Sequence, residues 1–292
     1  MSFLMLVVSF GLTFIQAIAV AGVSKIKESC KTDEVTGEEE CTNSGGAAIF
    51  FLLICYFWTQ QVMKNTIHVT VAGTVGTWWV APNEASTCCS KAVNDSFCRA
   101  TTYSFGSICY GSLIVAILET IKTIVRSARS EEDGILLCLV DCILGCIEQL
   151  VEYFNKWAYI YVGLYGYSYC EAGKNVINLF RARGWDAIIA DDLVDNALFF
   201  VCFSIGLVVG ALGEGLYQAT KDDWFENAAT FDGANFLLGF LVGLFLSAIL
   251  MSAISSATNA VIVLFAEAPA EFGKLHQSSR FHLLHFNLKK LI

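Results

Sequence analysis

Tyr161, Tyr165 and Tyr169 recur at every fourth position of an otherwise apolar stretch, Asn155–Phe180, which also carries Trp157 ahead of them and Glu171 and Lys174 just behind. On a helix this spacing lines side chains along one face, so the sequence predicts a stripe of tyrosines reaching several depths. An aromatic belt at a membrane surface needs rings at one depth only, whereas a path needs them at several. Aromatic faces attract cations, quaternary ammonium groups above all, by about 2 kcal/mol or more where water is excluded. A carboxylate beside the stripe would supply the compensating charge. Trp157, Tyr161, Tyr165, Tyr169 and Glu171 are therefore candidate substrate-binding residues. Glu214 joins them: it sits in Gly213-Glu214-Gly215 near the end of an uncharged run. There it is either a carboxylate coupled to a cation or proton, or a residue already at the interface.

Other polar groups have plainer readings. Lys64, His68, Glu119, Glu148 and Glu152 also fall in or beside apolar runs, and Glu119 with Lys122, like Glu171 with Lys174, is spaced to pair along its own helix. Cys138, Cys142 and Cys146 share one helix face, but no nearby histidine completes a zinc set, so no metal and no cofactor is expected. The phosphate loop G-x-x-x-x-G-K-[ST], the zinc motif H-E-x-x-H and the nucleophile elbow G-x-S-x-G are all absent, which argues against an enzyme.

The elements that must position these residues are membrane helices. The 292 residues are 55% hydrophobic and 15% charged, with a mean hydropathy of +0.59; soluble domains carry about 25% charge. The lipid bilayer is thus the first partner. A net charge of −9 excludes a basic nucleic-acid binder. The sequence predicts an all-α, polytopic transmembrane bundle of about six spans. Runs of roughly the 20 residues a span needs occur at Met1–Ser24, Gly46–Asn83, Ala100–Leu118, the tyrosine stretch, Asn196–Tyr217 and Gly233–Ala266. Gly46–Asn83 is overlong, either one helix or one broken near Lys64–Asn65, and Pro82 ends it. Ile135–Tyr153, punctuated by Asp141, Glu148 and Glu152, reads as an amphipathic helix at the interface. Lys25–Gly45, Asn83–Arg99 and Arg181–Asp195 read as polar loops, the second bearing the sequon Asn94-Asp95-Ser96.

Four colinear stretches resemble the choline transporter-like family, in particular its fungal-type branch: WTQQVMKNTIHVTVAGTVGTWW (Trp58–Trp79), TTYSFGSICYGSLIVAI (Thr101–Ile117), FNKWAYIYVGLYGYSYCEAGKNVINLF (Phe154–Phe180) and FAEAPAEFGKLH (Phe265–His276). The resemblance implies a ten-helix transporter of choline, a small cationic solute, in the plasma membrane. Residues 1–276 would be the C-terminal six helices of a longer member, and residues 277–292, QSSRFHLLHFNLKKLI, an atypical tail. Its topology would put Lys25–Gly45 outside, favouring a disulfide between Cys30 and Cys41, and would put Asn94 inside. Two rival readings remain: a transporter of another small solute, and a structural or lipid-handling membrane protein without solute flux. A tyrosine stripe facing lipid instead of the bundle interior would mark the last.

Overall fold

The chain contains only two prolines, Pro82 and Pro269, so its long apolar runs lack the strongest helix breaker. The computed structural model of the protein describes residues 2–23, 29–32, 39–42, 44–85, 87, 90–127, 134–220 and 233–267. Seven α-helices are formed among them: α1 (Ser2–Val23), α2 (Ser44–Val80), α3 (Lys91–Thr101), α4 (Phe105–Ser127), α5 (Gly134–Tyr165), α6 (Tyr169–Thr220) and α7 (Ala234–Glu267). The protein is an all-α membrane helix bundle. The described residues also include a hairpin in the acidic loop, β1 (Ser29–Thr32) antiparallel to β2 (Glu39–Thr42), whose register sets Cys30 opposite Cys41. Directly opposed residues of such a pair lie at Cα separations that a disulfide can bridge.

Four helical stretches are long and apolar enough to cross a membrane: Gly46–Val80, Phe105–Ser127, Ile189–Gln218 and Ala234–Glu267; α1 contributes a shorter apolar helix over Val7–Val23. Within them hydroxyl side chains turn back onto their own helix. Thr66 donates to Val62 O at 2.7 Å, Thr120 to Ala116 O at 2.7 Å and Ser256 to Ser252 O at 2.9 Å, which satisfies a polar group where no water can.

Several boundaries differ from the sequence expectation. α2 is one unbroken helix through Lys64–Asn65, and it ends two residues before Pro82, where a short 3-10 turn (Pro82–Ala85) begins. The polar loop expected over Asn83–Arg99 contains most of α3, so Asn94 is helical. The interfacial helix and the tyrosine span expected as separate elements are a single helix, α5. The loop expected over Arg181–Asp195 is instead part of α6, which runs for 52 residues. Charge alone does not stop a helix, and the only weak helix former in that stretch is Gly184. The region around the expected tail lies outside the described residues, which end at Glu267.

The chain divides into two compact units. The first comprises Phe3–Thr70 and Asn94–Val176, the second Val71–Val93 and Ile177 onward, so the division falls within α2 and within α6. In the first, α1 is tied to α2 by polar contacts: Gln60 accepts from Ser9 and donates to Thr13 at 3.1 Å, and Gln16 donates to Leu52 O at 2.9 Å. In the second, α6 and α7 run antiparallel at close range.

Candidate functional site

Ser112, Glu119 and Arg126 are spaced by seven on α4, and Asp141, Glu148 and Asn155 are spaced by seven on α5. Seven residues are almost two helical turns, so each set lies on one face, with steps of about 10 Å along the axis. The first unit brings these faces together with a polar stripe of α2, Gln61, Lys64, Asn65 and His68.

The contacts form a series of rungs. At the Ser127 end of α4, Arg126 Nε donates to both oxygens of Asp141, at 2.9 and 3.2 Å. Deeper in, Lys122 donates to Glu148, and both side chains are largely buried. Next, Gln61 Nε2 donates to Glu119 Oε1 at 2.9 Å and to Glu152 Oε1 at 3.4 Å, while Lys64 Nζ lies 3.6 Å from Glu152 Oε1. His68 Nε2 lies 2.8 Å from Lys156 O. The rungs pair rising α4 numbers with falling α5 numbers, so these helices are antiparallel, whereas α2 and α5 advance together.

Towards the other end of α4 the rungs lose their charges. Asn65 Nδ2 donates to Ser112 Oγ at 2.9 Å, the Ser112 and Tyr159 hydroxyls are 3.3 Å apart, and the Tyr159 hydroxyl donates to Ile108 O at 3.2 Å. With the Asn65 donor and the Ile108 acceptor fixed, Ser112 donates to Tyr159, and the chain of bonds has one direction. Asn155 Nδ2 donates to Gly111 O at 3.3 Å, and Asn155 Oδ1 accepts from the Tyr169 hydroxyl. Asn65, Ser112, Tyr159 and Asn155 are all buried. Gly111 makes this packing feasible: a Cβ there would collide with the Tyr159 hydroxyl and the ring of Tyr169.

The tyrosine stripe is not built as expected. α5 ends at Tyr165, Gly166 takes a φ of +72°, a conformation open to glycine at little cost, and α6 begins at Tyr169. Ser168 stands just before α6, its carbonyl accepting from Ala172 N, in the capping place that serine favours. Tyr169 thus lies on a different helix from Tyr161 and Tyr165. Its backbone N donates to Ser107 Oγ at 3.2 Å, which sets the turn level with the start of α4. Two ring groups result. Tyr161 stacks towards Tyr165 (5.8 Å between centroids) and Tyr165 towards Tyr167 (5.5 Å); Tyr169 meets Tyr110 at 5.5 Å and Tyr159 at 6.0 Å. Trp157 and Tyr161 are buried in a run, Trp157–Val162, that is covered on every side, while Tyr165 is exposed.

The expected acids part company. Glu171 is exposed in the first turn of α6 and forms no ion pair with Lys174. Glu119 likewise does not pair with Lys122, which turns to Glu148 on α5. Glu214 belongs to the second unit: one oxygen accepts from Gln218 Nε2 at 3.1 Å, and the other is buried without a hydrogen-bond partner among the described residues. Gln61, Asn65, Ser112, Asn155 and Tyr159, which hold the rungs together, were not among the candidates. Their signal was the seven-residue polar spacing on α4 and α5 and the stripe on α2.

A helical bundle with a buried polar seam suits many membrane proteins, and comparison with known proteins decides among them. The family model described as plasma-membrane choline transporter matches residues 1–270. The chain belongs to that family. It is a multi-pass integral membrane protein, and the sequence resemblance to the choline transporter-like family holds. It is similar to Protein PNS1 of Debaryomyces hansenii, 31% identical over 267 residues, covering 89% of this chain and 52% of the relative. Protein PNS1 of Cryptococcus neoformans is 34% identical over 249 residues, covering 80% and 45%, and that of Candida albicans 30% identical over 284 residues, covering 91% and 55%. The chain spans about half the length of the curated relatives it matches. In this family setting, the buried polar seam between α2, α4 and α5 makes the first unit the candidate site.

Proposed function

We propose that the protein takes part in transmembrane transport of a small organic cation such as choline, at the plasma membrane. The carrying observation is the seam itself: hydrogen-bonded groups from α2, α4 and α5 continue from Arg126–Asp141 to Asn65–Ser112–Tyr159, over about 20 Å of α4. Polar and charged groups within a bilayer are costly and mark solute or ion pathways. The aromatic contribution falls to Tyr169 with Tyr159, whose rings adjoin the uncharged end of the seam, and Tyr161 and Trp157 back them from within the buried part of α5. Tyr165 and Glu171, both exposed beside the α5–α6 turn, serve an approach to the seam. Glu214 is a further acidic candidate in the second unit. Burial of Tyr159 and Tyr161 disfavours a purely structural protein whose tyrosines face lipid.

The test is uptake of radiolabelled choline by transporter-deficient cells, comparing this chain with a version extended to the length of its relatives. Uptake by the extended form above that of cells without it supports the proposal. Absence of uptake, with the extended form verified at the cell surface, removes choline and moves the reading to another solute.

A further inference from the structure

Asp141, Glu148 and Glu152 each have a cation within 4.0 Å, in Arg126, Lys122 and Lys64 respectively. Glu119 has none. It lies within the apolar stretch Phe105–Ser127, eight residues before its end and so about 12 Å along the axis. Among the described residues its only side-chain bond is from the neutral amide of Gln61, to Oε1, which leaves Oε2 unengaged. A lone carboxylate at such depth is costly, and the neighbouring acids make it costlier: Gln61 reaches to Glu119 and Glu152 alike. Among the described residues Lys64 is the cation that favours the Glu119 charge, from a distance, and it does so less than Glu152 and Glu148 oppose it. Lys122, the basic residue one turn on, is held by Glu148, and Lys64 by Glu152.

We propose that Glu119 is the residue that selects a positively charged solute in this seam, its carboxylate receiving from the passing cation the close counter-charge that no described protein cation in contact with it supplies. The inference rests on the transport reading above and deepens it. Glu119 stands two turns from Ser112 on the same face of α4, so a solute following that face meets the carboxylate and the hydroxyl chain of Asn65, Ser112 and Tyr159 in turn. The two levels divide the labour: the acid reads charge, and the hydroxyls and rings read shape and hydrogen bonding. Gln61 is the positioning residue, because its amide holds one carboxylate oxygen and leaves the other available.

The experiment is binding of choline, and of its neutral isostere in which carbon replaces the quaternary nitrogen, to the purified protein extended to the length of its relatives, in detergent, followed by thermal stabilisation. The wild type should prefer choline. Glu119→Gln should lose that preference, its choline Kd rising at least about tenfold, the equivalent of 1.4 kcal/mol. Glu119→Asp should keep part of the preference, and Glu84→Gln, exposed in the 3-10 turn, should behave as wild type. A Glu119→Gln protein that still prefers choline as strongly as wild type overturns the inference and leaves the transport reading intact. A wild type that binds neither compound overturns both. If Glu119→Gln does not fold, a hydrophobic carbodiimide applied to the wild type decides: choline should slow modification of Glu119, and an unchanged rate sinks the idea.

Discussion

In the first unit α4 and α5 meet through Arg126–Asp141, Lys122–Glu148, and Ser112–Tyr159, with Gln61 and Asn65 of α2 completing the rungs. In the second, α6 and α7 meet through Gly206, Gly210 and Gly213 on one side and Gly239 and Gly243 on the other. Lipid chains are as apolar as leucine, so in a bilayer helices associate by close packing or by hydrogen bonds instead of by escape from water. The second unit relies on the former. A Cβ on Gly210 would lie 2.9 Å from Phe236 O, and one on Gly239 would lie 2.9 Å from Val209 O, so backbone meets backbone. Phe203, Phe236 and Phe240 line the edge of this seam, Phe203 meeting Phe240 edge-on and Phe236 and Phe240 nearly parallel with centroids 6.3 Å apart. The first unit relies on polar contacts, each worth on average only about 0.6 kcal/mol between membrane helices. Cheap bonds that can be exchanged for a solute suit a pathway, and backbone contact suits a support.

That contrast breaks most visibly at Gly239. Valine there would drive its branches into the carbonyl of Val209 and the Cα of Gly210, 3.2 Å from the new Cβ. Neither atom belongs to a side chain that can swing aside. Overpacking of this kind costs about 1–3 kcal/mol, and Gly239→Val should stand at the upper end, read as a lower unfolding midpoint and a poorer yield of monodisperse protein in detergent. An unchanged midpoint would mean that α6 and α7 part easily and that the two units do not differ in the way described.

Gly111→Ala sharpens the same comparison from the other side. The added methyl also collides, but with the Tyr159 hydroxyl and the Tyr169 ring, the far ends of side chains that can rotate away. Stability should fall less than for Gly239→Val. Rotation would break the bonds from Ser112 to Tyr159 and from Tyr169 to Asn155, so choline uptake by the extended form should drop about tenfold, the cost of 1.4 kcal/mol in a barrier. Uptake near the wild-type level in a folded Gly111→Ala protein would show that the hydroxyl chain is scaffolding only.

The class of fold was legible because hydropathy is summed over long windows: spans near Gly46–Val80 and Ala234–Glu267 could be read from their apolar runs alone. The boundary inside α5 was misplaced for a physical reason. Asp141, Glu148 and Glu152 set an amphipathic segment apart from the apolar tyrosine stretch that follows, yet the helix runs on through both to Tyr165, with partners for those charges on α4 and α2 that are invisible in one segment read by itself. The tyrosine stripe failed through a single backbone angle, at Gly166, because a glycine inside an apolar run signals either close packing or a turn. Gln61, Asn65 and Ser112 went unremarked since uncharged polar residues barely lower the hydropathy of a span. Their periodicity, seven on α4 and three or four on α2, was in the sequence throughout and is the more informative signal in a membrane helix.

The smallest effect tests where the seam stops. Arg126 and Asp141 make a two-bond contact of good geometry, which looks stronger than the single bond of Lys122 to Glu148. Exposure reverses that order: the Arg126 side chain is 60% exposed and that of Asp141 24%, against 20% and 12% for Lys122 and Glu148. Arg126 is also one residue from the end of α4, where a polar medium screens the pair and each partner can be solvated alone. An exposed pair contributes about 0.2–1 kcal/mol. Arg126→Gln should therefore lower the unfolding midpoint only slightly, and high salt should erase the difference by screening the wild-type pair. Lys122→Gln should cost more and respond less to salt, because it leaves Glu148 charged and largely buried. If instead Arg126→Gln proves the more damaging and its effect survives high salt, the low-dielectric seam extends to the end of α4, and Arg126–Asp141 belongs with the buried rungs instead of closing them off.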